Sequence, residues 1–118
     1  MNNYQKERII PKDAEYLLFM EPGEKVLYDA SGILNNEIQG YLVLTDKRLF
    51  FYFVSNISRD KKFIATYPYI VSARLKSGLI YSELTIKNKK ESFTIKKVNK
   101  KRAKEFCNKL NNIINSDN

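Results

Sequence analysis

The sequence predicts a mainly β domain with α structure, in which a small antiparallel barrel is capped by one C-terminal helix. The first observation is a series of short apolar runs, rich in β-branched and aromatic residues and separated by polar turns. Two of these runs lie between Ile38 and Val54, joined by the turn Thr45–Arg48. The second observation is one long amphipathic pattern after the last run. A chain of 118 residues fits a single domain, residues 1–118.

The first predicted element is a short N-terminal helix over residues 9–21, after a polar segment 1–8. Pro11 falls near its first turn, and Pro22-Gly23 ends it. Three residues make the final turn apolar nearly all round: Tyr16, Phe19 and Met20. Such a turn either packs between two surfaces of its own domain or contacts a partner chain, so these three are candidate interface residues.

Seven barrel strands are predicted within residues 24–97. Their apolar centres are Lys25–Ala30, Tyr41–Leu44, Leu49–Val54, Phe63–Tyr67, Ile70–Lys76, Leu84–Ile86 and Phe93–Ile95. A polar turn, Arg59–Lys62, precedes the fourth strand. In the fifth strand Val71, Ala73 and Leu75 are predicted to point inward, opposite Ser72, Arg74 and Lys76. The exposed edge of that strand could take a partner strand, which makes these last three residues interface candidates.

The closing helix is predicted over residues 99–115. Its apolar positions recur at spacings of three and four: Ala103, Phe106, Cys107, Leu110, Ile113 and Ile114. Asn99 is the predicted N-cap. The cations Lys100, Lys101 and Arg102 then fill the first turn, where the helix dipole disfavours positive charge. Because Cys107 lies on the apolar face, we interpret it as a core thiol.

The net charge of +8 is confined to one segment. Lys87–Lys104 holds nine basic residues and one acid, while the rest of the chain is neutral. This asymmetry indicates an anionic partner, although a solvated basic face would give the same pattern. The segment divides into two clusters, Lys89-Lys90 and Lys96-Lys97, about 20 Å apart at the ends of the seventh strand.

Composition argues against an enzyme. The chain has no His and one Cys, which removes Ser-His-Asp and Cys-His schemes and most zinc sites. No Gly-rich phosphate loop or acidic metal loop is present, so no cofactor or metal is expected. The longest apolar run, Leu49–Val54, is far too short to span a membrane, and the N-terminus lacks an apolar signal region. We therefore expect a cytoplasmic protein, alternatively peripheral at the inner membrane face.

The hairpin Gly40–Phe51 resembles that of bacterial pleckstrin-homology (PH) domains and the related GRAM domains, and it is similar to the YokE-like group. Pro22–Leu27, Tyr67–Ile70 and the closing helix agree in order, so the resemblance covers roughly residues 20–115. It implies a PH-like barrel without enzymatic activity. In the wider superfamily such barrels bind anionic lipid head groups, peptides or other proteins.

The resemblance also indicates where a ligand would bind. In lipid-binding PH domains the loops after strands one, three and six form an open mouth, with cations concentrated on the first. Here the first loop, Ser31–Glu37, has no Lys or Arg and departs from that pattern. The other two loops supply a candidate anion site: Arg59, Lys61, Lys62, Lys89 and Lys90. A second candidate cluster lies beside the helix start: Lys97, Lys100, Lys101 and Arg102.

Three classes of partner follow, in order of preference. The first is an unknown protein or peptide, with self-association into a homo-oligomer as one form. The second is an anionic membrane surface contacted through basic loops. The third is nucleic acid bound by the C-terminal basic segment. The sequence does not show the aromatic residues interleaved with cations that nucleic-acid stacking needs, which places this class last.

Overall fold

Seven antiparallel strands and one long helix form the described part of the chain. The structure is a computed structural model; it describes residues 20–54, 59–66 and 69–116, with residues 54, 59–66 and 116 described by their backbone alone. The strands are β1 Val26–Leu34, β2 Ile38–Thr45, β3 Arg48–Val54, β4 Arg59–Thr66, β5 Ile70–Ser77, β6 Tyr81–Asn88 and β7 Ser92–Asn99. Helix α1 spans Lys100–Ser116. The predicted mainly β fold with a C-terminal helix is confirmed.

The strands form one sheet in the order β4-β3-β2-β1-β7-β6-β5. Strand β1 joins its two halves: it pairs with β2 along its length and with β7 only at Ile33 and Leu34. Gly32 lies where β7 crosses β1, and a Cβ there would stand 2.8 Å from the carbonyl oxygen of Lys96. The absence of a side chain at this position therefore lets the two halves approach closely.

The interior is one apolar cluster with contributions from both halves of the sheet and from α1. Phe51, Leu84, Phe93 and Phe106 are buried in it. The helix packs mainly against β5, with further contacts to β6, β1 and β7. Consequently α1 caps the curved sheet, and its apolar face is the one that the periodicity predicts.

Helix α1 begins with the predicted N-cap. The Oδ1 atom of Asn99 accepts a hydrogen bond from the backbone N–H of Arg102 over 3.0 Å. This bond satisfies one of the N–H groups that the first turn leaves without a partner. Behind it, Val98 and Ala103 are both buried in the main core.

Replacing Asn99 with Ala is expected to lower the free energy of unfolding by about 1 kcal/mol, because the capped N–H loses its acceptor. Urea denaturation followed by circular dichroism measures this change. Asn108→Ala, at an exposed position within the same helix, is the control and should leave the midpoint almost unchanged. An equal effect of both substitutions would contradict a capping role.

A second, smaller cluster lies on the other face of the β2–β3 hairpin. It consists of Val43, Phe50 and Tyr52, all buried, with Met20 packed against it. Both faces of this hairpin are therefore buried, which explains its nearly continuous apolar sequence. Met20 contacts its own domain here, the first of the two roles predicted for it.

The predicted N-terminal helix falls on residues outside the described ones, except at its last two positions. Met20 and Glu21 belong to no helix or strand, so the predicted end at residue 21 is wrong. Tyr16 and Phe19 lie outside the described residues, and their proposed interface role stays a prediction.

Three strand predictions need correction. Residues Arg59–Lys62 belong to β4 and not to a turn, because their backbone pairs with β3 from Val54 onward. Val71 is 52% exposed, since a register shift between Ile70 and Ser72 breaks the expected alternation. Strand β7 continues to Asn99, so Lys96-Lys97 lie within it rather than at its end.

Candidate binding surfaces

The hairpin turn Thr45–Arg48 is held by a buried ion pair with Glu24. Arg48 Nε lies 2.9 Å from Glu24 Oε2, and the Glu24 side chain has no exposed surface. The Thr45 hydroxyl donates to Glu24 over 2.6 Å and accepts hydrogen bonds from the backbone N–H groups of Lys47 and Arg48. The side chains of Thr45 and Arg48 are therefore engaged in contacts within the domain.

Charge and hydrogen bonding shift the titration of Glu24. Burial raises the pKa of this carboxyl, but hydrogen bonds from Arg48 and Thr45 outweigh burial and lower the pKa to about 2. Glu24 is consequently ionised throughout the range in which proteins normally function.

The first mouth loop is shorter than the sequence suggests. Strand β1 continues to Leu34, so the connection to β2 is only Asn35–Glu37, a correction to the predicted loop Ser31–Glu37. Asn35 and Asn36 have positive φ angles, which Asn tolerates in tight hairpin turns. Two hydrogen bonds, at 2.7 and 3.0 Å, join Asn35 to the backbone of Thr94. This turn is tied to β7 and contains no cation.

The cations of the candidate anion site at the mouth belong to two kinds of element, a strand and a turn. Arg59, Lys61 and Lys62 occupy strand positions opposite Val54, Tyr52 and Phe51. Lys89 and Lys90 instead lie in the exposed β6–β7 turn, which Asn88 closes by accepting two backbone hydrogen bonds. Of the predicted mouth cations, only these two are described in a loop.

Arg102 is engaged within the domain. Its guanidinium lies 2.9 Å from the Asp29 carboxylate and 4.4 Å from the centre of the Tyr28 ring. The Tyr28 hydroxyl in turn bonds to Glu105. Burial, together with this bond, raises the pKa of Tyr28 to about 12. Arg102 thus fixes α1 to β1, whereas Lys100 and Lys101 are exposed.

The edge of β5 is covered at its centre. The carbonyl oxygen of Ala73 accepts a hydrogen bond from Asn111 Nδ2 at 3.4 Å, and Cys107 Sγ lies 3.6 Å from the same oxygen. Because α1 occupies this position, the predicted strand addition along β5 has no continuous free edge. Arg74 and Lys76 are exposed, while Ser72 is half-buried. Cys107 is buried as expected, and burial raises the pKa of its thiol.

An exposed patch lies where β5 begins. Tyr69 is 56% exposed, and Val71 projects nearby from the start of the strand. Lys89 Nζ lies 5.1 Å from the Tyr69 ring centre, and the Lys89 N–H donates to the Tyr69 carbonyl. Lys87 and Lys90 are exposed beside them. We call Tyr69, Val71, Lys87, Lys89 and Lys90 the Tyr69 patch.

A second exposed surface lies at the other end of the same hairpin. The β5–β6 turn and the first residue of β6 form an apolar tip, Gly78–Tyr81, in which Leu79 is 94% and Ile80 71% exposed. Sequence reasoning placed no function here, although one signal was available: aliphatic residues directly follow Ser77-Gly78 in a turn. Turns normally carry polar residues, so this run is unusual.

Lys96 and Lys97 project beside the tip because β7 contains a bulge. Two residues of β7 lie opposite Glu83 of β6, which shifts the register and leaves Ile95 and Val98 both buried. The two lysines between them are partly or fully exposed, and Lys97 has a φ of 57°. With Lys76 and Tyr81, they line a cleft of about 210 Å³.

An antiparallel sheet curved around one core and capped by a C-terminal helix defines a PH-like module. The chain belongs to the bacterial PH domain family, whose model matches residues 20–112. Comparison with curated protein sequences gave no match. Members of this class are generally non-catalytic binding modules.

Two further findings concern only the described residues. They contain no group of three or more acidic, Cys or His side chains placed to hold a metal ion. None of the helices found there is both long and apolar enough to cross a membrane.

Proposed function

We propose that this protein is a non-catalytic, cytoplasmic binding module that recognises an acidic peptide segment of a partner protein. The observation that carries the proposal is the Tyr69 patch, where exposed aromatic and aliphatic side chains lie among cations. Within the bacterial PH family, the Gly40–Phe51 hairpin supports placing the chain near the YokE-like group and the GRAM domains.

The chemistry of the patch fits a peptide. Tyr69 and Val71 offer apolar contact area, and an exposed Tyr provides a large surface with a polar end. Lys87, Lys89 and Lys90 surround them, and Glu91 is the neighbouring acid in the turn. A peptide with an apolar residue flanked by Asp or Glu would match both features.

Nucleic acid fits less well. Among the residues whose exposure the structure describes, the exposed aromatic residues Tyr69 and Tyr81 lie at opposite ends of the β5–β6 hairpin, about 25 Å apart for eight strand residues. Successive bases stack on aromatic residues that follow one another along a groove. The arrangement therefore supports a local peptide contact over a nucleic-acid track.

Selection from a displayed peptide library tests the proposal. We expect enrichment of peptides with acidic residues around an apolar residue, and at least about tenfold weaker binding to Tyr69→Ser/Lys89→Glu, because anchor residues dominate such interfaces. Lys104→Glu, an exposed change of equal charge on α1, is the control. Peptides that bind the double variant as tightly as the original domain would refute the Tyr69 patch as the site.

A further inference from the structure

The Gly78–Tyr81 tip presents exposed apolar side chains on a tight turn. Its three apolar side chains are consecutive, and all are more than half exposed. A Cβ at Gly78 would stand 2.4 Å from the Tyr81 carbonyl oxygen, so glycine is required for this tight turn. Scattered single apolar residues are normal on a protein surface, but a continuous exposed group indicates a contact site.

Cations surround the base of this tip. Lys76, Lys96 and Lys97 line the adjoining cleft, with Glu83 as its acid. Tyr81 pairs with Asn99, the last residue of β7, and the exposed Lys100 and Lys101 begin α1 directly after it. Five lysines therefore lie behind three apolar side chains.

The bulge in β7 explains why two of these lysines, Lys96 and Lys97, are both at the surface. In a regular strand Lys96 and Lys97 would point to opposite faces of the sheet. The register shift instead leaves both outside, at the cost of a left-handed backbone at Lys97 that glycine or Asn adopts more readily. Such a conformation is retained where the surrounding structure enforces it.

We propose that the Gly78–Tyr81 tip inserts into the surface of an anionic lipid bilayer, with the five lysines above the head groups. The protruding aliphatic side chains can be buried at the boundary between the head groups and the acyl chains. The Tyr81 ring, which is apolar with a polar hydroxyl, is typical of the membrane–water interface. Lysines set behind them are attracted to anionic lipids. This contact combines nonspecific attraction between the lysines and anionic lipids with insertion of the apolar side chains. It needs no pocket for a lipid head group in the barrel mouth. It lies at the opposite end of β5–β6 from the Tyr69 patch, so the two proposals stand separately.

Co-sedimentation with vesicles tests the charge and insertion components. We expect the domain to pellet with phosphatidylcholine–phosphatidylglycerol vesicles at low salt, and much less with phosphatidylcholine alone. Leu79→Ser/Ile80→Ser should weaken partitioning about tenfold or more. Lys96→Gln should weaken it about fivefold, the effect of one lysine near an anionic surface.

The control is Leu27→Ser/Val71→Ser, which removes two partly exposed aliphatic side chains elsewhere. Because Val71 belongs to the Tyr69 patch, this variant should lose affinity for acidic peptides but keep its partitioning to vesicles. Loss of partitioning in this control, or retention of it in the Leu79→Ser/Ile80→Ser variant, would overturn the bilayer proposal.

Insertion itself has a direct spectroscopic test. The chain contains no Trp, so Leu79→Trp introduces one Trp at the tip, whose fluorescence can be excited selectively over that of Tyr. Its emission should shift to shorter wavelength with anionic vesicles and be quenched by lipids brominated in the acyl chain. An emission shift with polyglutamate but none with vesicles would overturn the proposal and identify the tip as a site for an acidic protein.

Discussion

Gly40→Ala is expected to prevent stable folding. A Cβ on residue 40 would stand 2.1 Å from the Tyr52 carbonyl oxygen and 2.8 Å from Cε2 of Phe51. The first of these atoms is backbone, and it belongs to the β2–β3 ladder in which Gly40 pairs with Phe53. Relief of the clash would therefore require separation of the hairpin strands, and we expect a loss of at least about 4 kcal/mol in unfolding free energy.

Circular dichroism and urea denaturation of the purified variant measure this effect. The control is Ser31→Ala, an exposed position in the adjacent strand β1 that should change the midpoint little. A Gly40→Ala variant with the original midpoint would show that β2 and β3 are further apart than the structure places them.

Loss of the buried ion pair should have the second large effect. Glu24→Gln removes the carboxylate charge that lies 2.9 Å from the Arg48 guanidinium, whose side chain is only 11% exposed. Removing one member of a buried pair typically costs about 3–5 kcal/mol, because the remaining charge stays desolvated. Thr45 also loses a charged acceptor for its hydroxyl. We expect the denaturation midpoint to fall accordingly.

The same pair predicts how stability depends on pH. The pKa of Glu24 is 4.5 in the unfolded reference and about 2 in the folded protein, so its contribution is present in full above pH 4.5. It is lost as the pH falls from 4.5 towards 2, and the shift corresponds to about 3 kcal/mol. The difference in unfolding free energy between the original protein and Glu24→Gln should therefore become smaller as the pH decreases. Denaturation curves recorded across this pH range measure it.

Glu37→Gln provides the matched control, because it makes the same chemical change at an exposed position in the β1–β2 turn. The difference in unfolding free energy between Glu37→Gln and the original protein should be small and nearly constant over this pH range. If the difference in unfolding free energy between the original protein and Glu24→Gln does not decrease on acidification, this result would argue against an ionised Glu24 paired with Arg48.

The sequence was most informative where a residue pattern is compatible with only one local structure. The apolar spacing of α1 predicts its buried face from Ala103 to Leu110, and Asn99 caps it as expected. The β2–β3 hairpin and its turn were also predicted, because long apolar runs around Thr45–Arg48 leave few alternatives. Strand limits were less accurate. Polar residues such as Arg59–Lys62 favour a turn locally, yet pairing with β3 extends the strand through them.

The candidate sites were harder to predict, since they depend on which distant residues meet. Arg102 looked like a free cation, but the fold brings it to Asp29, 73 residues earlier in the chain. The β5 edge looked open, but Asn111 and Cys107 reach it from α1. The tip at Leu79 could not be identified from the sequence, because the exposure of Leu79 and Ile80 depends on how the β5–β6 hairpin projects from the sheet.

By itself, the sequence determined the class of fold, the capping helix and the concentration of positive charge near the C-terminus. These depend on periodicity and composition, which act locally along the chain. Only the tertiary structure decided how that charge is used. The β7 bulge turns Lys96 and Lys97 to one face beside the Leu79 tip, and the ion pair with Asp29 engages Arg102. Register shifts and long-range pairs follow from packing of the whole domain, so no local pattern reports them.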